Sequence, residues 1–202
     1  MNGRQSNDSG WTERAELGFR EAALDAFGFL ADFGFAVEES TTTIVRYERP
    51  GSGVNIYHGR RSFELGFELG HDGSLYTISA LMALGAPEEG KAYRNFAATT
   101  ASGVRTGLEH LAELVQRHGA LALQGDPQTF RALEDLKRAS AHAMARESVL
   151  TSVRPKADEA FRLGHYAEAA DLYDRIRDGL SPVETRKADL ARRRSAGASR
   201  AR

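Results

Sequence analysis

Histidines and carboxylates are the side chains of this sequence that could bind a metal ion or transfer a proton. The six histidines are spread along the chain, and no two of them stand four residues apart, as in a zinc-binding HExxH helix. His110 and His118 lie about two helical turns apart, which is too far to share one ion. The spacing therefore predicts no metal site.

Two carboxylates, Glu64 and Glu68, fall on the same face of a predicted strand. Extended chain separates them by roughly 13 Å, whereas the carboxyl pairs that hydrolyse glycosidic bonds stand about 5 to 10 Å apart. This pair therefore does not predict acid–base catalysis.

Motifs for nucleophilic catalysis and phosphate binding are also missing. The chain has no cysteine, which excludes a thiolate nucleophile. The glycines at 51 and 53 fit a hairpin turn and lack the lysine and helix of a phosphate-binding loop, and no GxSxG elbow occurs. We therefore predict that the protein is not an enzyme and that it has no catalytic residue and no cofactor. The alternative is a site without a known motif.

The elements that could position a binding surface begin with a helix. Apolar residues recur at helical spacing in a predicted helix over 11–33, with Gly34 as its left-handed end; they are Phe19, Ala23, Phe27 and Leu30. Period-two alternation then predicts four strands, at 43–49, 54–59, 62–69 and 74–82. Because short turns favour antiparallel neighbours, we expect a four-stranded antiparallel meander whose apolar face packs on the first helix.

The second half of the chain has helical periodicity throughout. An apolar stripe predicts a helix that ends at His118-Gly119 (Val104, Leu108, Leu111 and Val115). Asp126 and Pro127 predict the cap and first residue of another helix, which becomes polar and alanine-rich at 137–147. Ser181, Pro182 and Glu184 predict a capping box before a last helix at about 183–194. The fold class is therefore α+β with a helical C-terminal half.

These elements divide the chain into four segments. We predict a flexible leader at 1–10, an α+β domain at 11–125, a helical region at 126–194 and a disordered basic tail at 195–202. The first ten residues are polar and lack the apolar core of a secretory signal, and no apolar run is long enough to span a membrane. We therefore expect a cytoplasmic protein with no membrane partner.

The polar face of the predicted sheet is the candidate partner-binding surface. It would carry Arg46, Glu48, Tyr57, Glu64 and Glu68. Residues 1–185 contain 20 basic and 27 acidic residues, and an acidic body favours a basic protein partner. The leading hypothesis is therefore a non-catalytic interaction protein.

The end of the chain has the opposite charge. Residues 186–202 contain seven basic residues and one acidic residue, with Arg192, Arg193 and Arg194 in succession. Basic tails can contact nucleic-acid phosphates, so a nucleic-acid-associated protein is one alternative. Another is a self-assembling structural protein that uses its C-terminal helices, and the oligomeric state stays open.

The segment at 155–178, which we call the C-terminal hairpin, resembles a single tetratricopeptide repeat. The matching residues are Ala160, Leu163, Gly164, Tyr166, Ala169, Ala170, Leu172 and Tyr173. The resemblance implies two antiparallel helices with a glycine turn. Because solenoids need three or more such units, it does not imply the peptide-binding groove of that family.

The chain as a whole loosely resembles small α+β proteins that bacteria encode near toxins and defence systems, among them immunity proteins. The likeness is carried by the order of elements and by the phrase LAELVQRHGALALQGDPQTFRAL at 111–133. It implies an immunity-like protein or an accessory subunit, and it assigns no functional residue.

Overall fold

The computed structural model describes residues 16–200, with side chains up to residue 197. The predicted leader at 1–10 and the start of the first predicted helix lie outside the described residues. The chain divides into two compact units after Lys137. The fold is α+β, with an antiparallel sheet in the first unit and helices in the second.

The first unit begins with a helix that is shorter than predicted. Helix α1 spans Phe19–Ala26 and is followed by a 3-10 helix at Gly28–Phe33. Gly34 ends this segment with a φ of 79°, which confirms the predicted left-handed stop. The predicted apolar stripe is buried throughout, in Phe19, Ala23, Phe27 and Leu30. It therefore packs as expected, although the α-helix gives way to a 3-10 helix after Ala26.

The sheet has one strand more than the sequence predicts. Its five strands pair in the order β1-β2-β3-β4-β5, each antiparallel to the next. They are β1 Ala36–Ser40, β2 Ile44–Arg49, β3 Ser52–His58, β4 Leu65–His71 and β5 Ser74–Thr77. Strand β1 escapes a pattern-based prediction because it is an edge strand with an exposed or half-exposed side chain at every position.

The predicted strand at 74–82 is wrong beyond Thr77. Helix α2 begins at Ile78 and spans Ile78–Gly85. Ile78, Leu81 and Met82 are buried, a spacing of three and four residues that belongs to a helix. The same short run also fits the period of a strand, with apolar residues at Tyr76, Ile78, Ala80 and Met82. Its pattern therefore fits both a helix and a strand, and tertiary packing determines that it is a helix.

Three further helices follow in the chain. They are α3 Pro87–Ala92, α4 Ala101–Gln124 and α5 Pro127–Arg162. The predicted end of α4 at His118-Gly119 is wrong, because the helix continues to Gly125, whose φ is 84°. The cap of α5 is confirmed: the Thr129 N–H donates to the Asp126 carboxylate at 2.8 Å.

The core of the first unit lies on one face of the sheet. Strand residues of this face are buried with the apolar sides of α1, α2 and α4. They include Val45, Tyr47, Val54, Ile56, Leu65, Phe67, Leu69 and Tyr76. The other face is therefore the one that can carry polar side chains.

The second unit contains the end of α5, helix α6 (Tyr166–Arg175), a 3-10 helix (Arg177–Gly179) and α7 (Pro182–Arg200). Its core is Tyr173 surrounded mainly by alanines. The capping box is confirmed, since the Ser181 N–H donates to Glu184 at 2.7 Å and the Glu184 N–H donates to the Ser181 hydroxyl at 3.2 Å.

Helix α7 is longer than predicted. It includes residues 195–200 of the tail for which the sequence predicts disorder, and residues 201–202 lie outside the described residues. Alanine and arginine favour helix, and the Ser195 hydroxyl donates to the Arg192 carbonyl at 3.0 Å. Both features favour the continuation of α7 beyond residue 194.

Candidate partner-binding face of the sheet

The face of the sheet opposite the core carries a polar row that crosses all five strands. Register places one residue from each strand in this row, which we call the polar row: Glu39, Arg46, Asn55, Glu68 and Thr77. Alternate residues of a strand point to the same side, so Glu48 and Tyr57 share this face. We call this side of the sheet the open face, and it consists of the polar row together with Glu38, Glu48, Tyr57 and Glu64.

Arg46 is held in the polar row by its two neighbours in that row. Its Nη1 lies 3.0 Å from Glu39 Oε2, and its Nε donates to Asn55 Oδ1 at 3.2 Å. The Arg46 and Glu39 side chains are 39% and 42% exposed, so the ion pair contributes at most about 1 kcal/mol to stability. This ion pair neutralises the charge of Arg46. The other carboxylates therefore leave the face with a net negative charge.

Tyr57 lies flat across the neighbouring strand. Its register partner on β4 is Gly66, and a Cβ atom built there would fall 2.1 Å from Tyr57 Cζ. Burial raises the pKa of the Tyr57 hydroxyl, and the charges of Glu68 and Glu64 raise it further. A hydrogen bond with Asn95 acts in the opposite direction and lowers this pKa.

Glu64 stands where the open face meets the irregular segment after α3. It forms an isolated antiparallel bridge with Ala97, and the next amide, Leu65 N–H, donates to the Phe96 carbonyl at 2.8 Å. A cleft of about 220 Å³ opens here, lined in part by Tyr57, Glu64 and Tyr93. Glu64 is thus an exposed charge at the rim of a concave end of the face.

Glu48 has an acidic neighbour that the sequence analysis missed. Strand β1 shifts register between Val37 and Glu39, which leaves Glu38 as the extra residue. A hydrogen bond to Glu48 raises the pKa of the Glu38 carboxyl, burial and the Glu48 charge raise it further, and Arg46 lowers it. Glu38 and Glu39 could be found only by recognising β1.

The five predicted partner-binding residues are therefore brought to one side of the sheet. Arg46 and Glu68 belong to the polar row, Tyr57 lies beside them, and Glu48 and Glu64 stand towards its margins. With Glu38 and Glu39 added, the open face carries five carboxylates and Arg46, and Arg94 lines the cleft beside Glu64. The electrostatic character of the open face is acidic.

Of the residues singled out in the C-terminal hairpin, two lie at its turn and two lie in the core of the second unit. Gly164 makes the turn with a φ of 78°, and Tyr166 packs edge-on against Phe161, with 5.8 Å between ring centroids. Ala169 and Tyr173 are buried. These positions explain the hairpin geometry, while the likeness to a tetratricopeptide repeat stays a prediction.

A partly exposed polar network borders the core of the second unit. The Tyr173 hydroxyl donates to Asp158 Oδ1 at 2.7 Å, and Lys187 Nζ donates to the same oxygen at 2.6 Å. Burial opposes ionisation of Asp158, but these two hydrogen bonds outweigh it and lower the pKa of the carboxyl. Burial and the Asp158 contact raise the pKa of Tyr173.

The three arginines of the predicted basic tail do not form one free patch. Arg192 pairs with Asp174 at 2.6 Å and with Asp189 at 2.7 Å. Arg194 donates to the Tyr166 hydroxyl and lies over the Tyr166 ring. Arg193 is exposed. Two of the three charges therefore hold α7 in place.

A serine, a histidine and an aspartate also come together near the hairpin turns. The Ser52 hydroxyl lies 2.9 Å from His71 Nδ1, and His71 Nε2 lies 3.5 Å from Asp72 Oδ2. Ser52 is buried, and the His71 ring stacks on Phe130 at 3.7 Å between centroids. We interpret this arrangement as a link between β3, β4 and α5.

The described residues supply two further findings. Within residues 16–200, no three histidine, aspartate or glutamate side chains are placed to hold a metal ion. None of the helices in that range combines the length and apolar character needed to cross a membrane.

Comparison of the chain with protein-family models, with curated proteins and with solved structures found no match.

Proposed function

We propose that the protein is a non-catalytic interaction protein whose open face binds a basic surface of another protein. The observation that carries the proposal is the polar row with its flanking carboxylates. These charges lie on one side of a single sheet, opposite the core. Complementary potentials accelerate encounter and select among partners, so this face favours a basic partner.

The geometry also supports binding without large rearrangement. Paired strands fix the backbone of the open face, and Tyr57 is held against Gly66 by close contact. Tyrosines with one apolar and one polar side are frequent anchors in protein interfaces. We therefore place Tyr57 at the centre of the interface and the glutamates around it.

The class of partner follows from its charge. Proteins that act on nucleic acids present basic surfaces, and an acidic inhibitor can cover such a surface. We therefore propose an immunity-like protein or an accessory subunit of a bacterial toxin or defence system that acts in the cytoplasm. The resemblance of the chain to small bacterial proteins encoded near toxins supports this proposal.

The alternatives have less support. Arg192 and Arg194 are already engaged within the second unit, which weakens the case for nucleic-acid binding through the tail. That alternative predicts salt-sensitive binding that disappears when the chain is truncated after Leu190. The self-assembly alternative predicts an oligomer in light scattering at high protein concentration.

The first experiment is a pull-down with the tagged full-length protein, analysed by mass spectrometry. We expect one stoichiometric protein partner with a basic surface, retained at low salt and weakened at high salt. Recovery of nucleic acid that depends on the residues after Leu190 would contradict the proposal, as would an acidic partner.

A further inference from the structure

A second cavity lies beside the irregular segment that follows α3. It has a volume of about 440 Å³ and lies between this segment, the start of β4 and helix α4. Its apolar walls include Leu65, Phe96 and Leu111, and its polar groups include Arg94, Asn95 and His110. Volumes of about 300 to 1,000 Å³ with mostly apolar walls are typical of small-molecule sites.

One wall depends on a glycine inside helix α4. A Cβ atom at Gly107 would fall 2.6 Å from Phe96 Cδ1 and 2.5 Å from Leu65 Cδ1. Glycine in a helix interior costs about 1 kcal/mol relative to alanine. Here it lets the Phe96 ring lie directly against the helix backbone, although the Phe96 side chain remains 47% exposed. An exposed aromatic ring therefore forms part of the mouth of the cavity.

The wall is fixed by backbone hydrogen bonds. The Leu65 N–H donates to the Phe96 carbonyl at 2.8 Å, and the Ala98 N–H donates to the Phe63 carbonyl at 2.9 Å. These bonds fasten the segment to the start of β4 on both sides of Ala97. The cavity is thus formed by the fold itself and needs no rearrangement to open.

The lining of the cavity contains a basic side chain, while carboxylates stand just outside it, beside His110 and in the cleft that Arg94 also lines. Arg94 Nη1 donates to the carbonyls of Lys91 and Tyr93 at 2.9 and 2.7 Å. The Nη2 and Nε atoms of Arg94 take no part in these two bonds. His110 stands at the wall, with its Nδ1 3.9 Å from Glu113. None of the described residues that line the cavity is acidic. The lining therefore suits an anion next to an apolar body.

We propose that this cavity binds a small apolar molecule that carries one carboxylate. The apolar body lies against Phe96, Leu65 and Leu111, and the carboxylate accepts hydrogen bonds from Arg94. The His110 ring stands at the same wall and offers a ring nitrogen for a further hydrogen bond. The cavity adjoins the cleft at the end of the open face, because Tyr93, Arg94 and Asn95 line both, but the proposal does not rest on the proposed protein partner.

The test uses the full-length protein and 2-naphthoate as the probe, with neutral 2-naphthamide as its matched control. Calorimetry and NMR titration are expected to show that naphthoate binds more tightly than naphthamide, with shifts at Phe96 and Gly107. Arg94→Gln should weaken naphthoate binding by about tenfold, since charge-assisted hydrogen bonds are the strong ones, and leave naphthamide binding unchanged. The control variant Arg105→Gln removes a surface ion pair with Asp25 in the same unit. It should leave the affinity for both probes unchanged.

The second arm of the test changes the cavity itself, either by filling it with a side chain at position 107 or by removing its Phe96 wall. Gly107→Leu should abolish binding of both probes, and Phe96→Ala serves in its place if thermal unfolding shows that the first variant does not fold. Equal affinity for acid and amide would overturn the proposal. Binding of naphthoate that survives Arg94→Gln, or no binding of either probe at millimolar concentration, would do the same.

Discussion

The ring of Tyr57 on β3 lies directly over Gly66 on β4, with Tyr57 Cζ only 2.1 Å from the place where a Cβ atom would stand. No side chain fits at position 66 unless this ring moves. The contact lies on the open face itself and fixes the position of the tyrosine ring between the two neighbouring glutamates.

Substitution of this glycine should therefore disturb both stability and binding. Gly66→Ala is expected to lower the free energy of unfolding by about 1 to 3 kcal/mol, the usual cost of overpacking, and to weaken partner binding. Chemical denaturation and affinity measurements check both effects. In a Tyr57→Ala background the stability cost of Gly66→Ala should largely disappear, and an unchanged cost would show that the ring is not its cause.

Two buried tyrosines offer a matched pair for testing hydroxyl satisfaction. Among the described residues, the Tyr47 hydroxyl has no hydrogen-bond partner, and burial raises the pKa of Tyr47 to about 12. The Tyr173 hydroxyl donates to Asp158 at 2.7 Å. Tyr47→Phe should therefore be neutral or stabilising by up to about 1 kcal/mol, whereas Tyr173→Phe should destabilise by about 1 to 3 kcal/mol. Denaturant unfolding that ranks the two variants in the reverse order would contradict this account.

The capping box of α7 should make stability depend on pH. The Ser181 amide is the largest influence that lowers the pKa of Glu184 below its usual 4.5, and Arg154 acts in the same direction. A lowered folded pKa contributes stability above pH 4.5 that is lost as the pH falls through the folded value.

Glu184→Gln tests this linkage. It is expected to cost about 1 kcal/mol at pH 7, the usual value of a cap, and progressively less below pH 4.5. Unfolding followed by circular dichroism at pH 7, 5 and 3 measures the difference. A gap between the two proteins that is constant with pH would exclude Glu184 ionisation as its source.

The middle of α5 should be the first internal site of proteolysis. Every residue from Lys137 to Val149 is exposed, so no buried stripe stabilises this part of the helix, and short unsupported helices are marginal in water. Limited trypsin digestion followed by mass spectrometry should give first cuts within residues 16–197 after Lys137, Arg138 or Arg146. First cuts inside α4, for example after Arg117, would show that the exposed stretch at 137–149 is not the least stable part of the chain.

Sequence patterns were sufficient where one period or one local rule decided the structure. The alternation of Leu65, Phe67 and Leu69 predicts β4, although the predicted strand at 62–69 begins too early and the observed one runs on to His71. The capping box at Ser181 and Glu184 is observed as expected. These features depend on neighbours along the chain, so a single sequence contains the information.

Patterns failed where tertiary packing made the choice. Residues 78–82 alternate like a strand but form α2, and β1 has little apolar pattern because it lies at the sheet edge. Missing β1 also hid Glu38 and Glu39, which complete the acidic face. The grouping of Arg46, Glu48, Tyr57, Glu64 and Glu68 could be predicted, whereas the cavity under Phe96 could not, because it depends on contacts between distant segments.

The most direct test of the central claim is the affinity of the captured partner for two charge-reversal variants. Glu68→Lys reverses the charge of the polar row on β4, and Glu109→Lys makes the same charge change at an exposed position of α4. We expect Glu68→Lys to weaken binding by about tenfold or more, with a reduced dependence on salt, because like charges across an interface oppose association. Glu109→Lys should bind like the unaltered protein. Equal affinities for both variants, with unchanged thermal stability, would contradict the assignment of the open face as the binding surface.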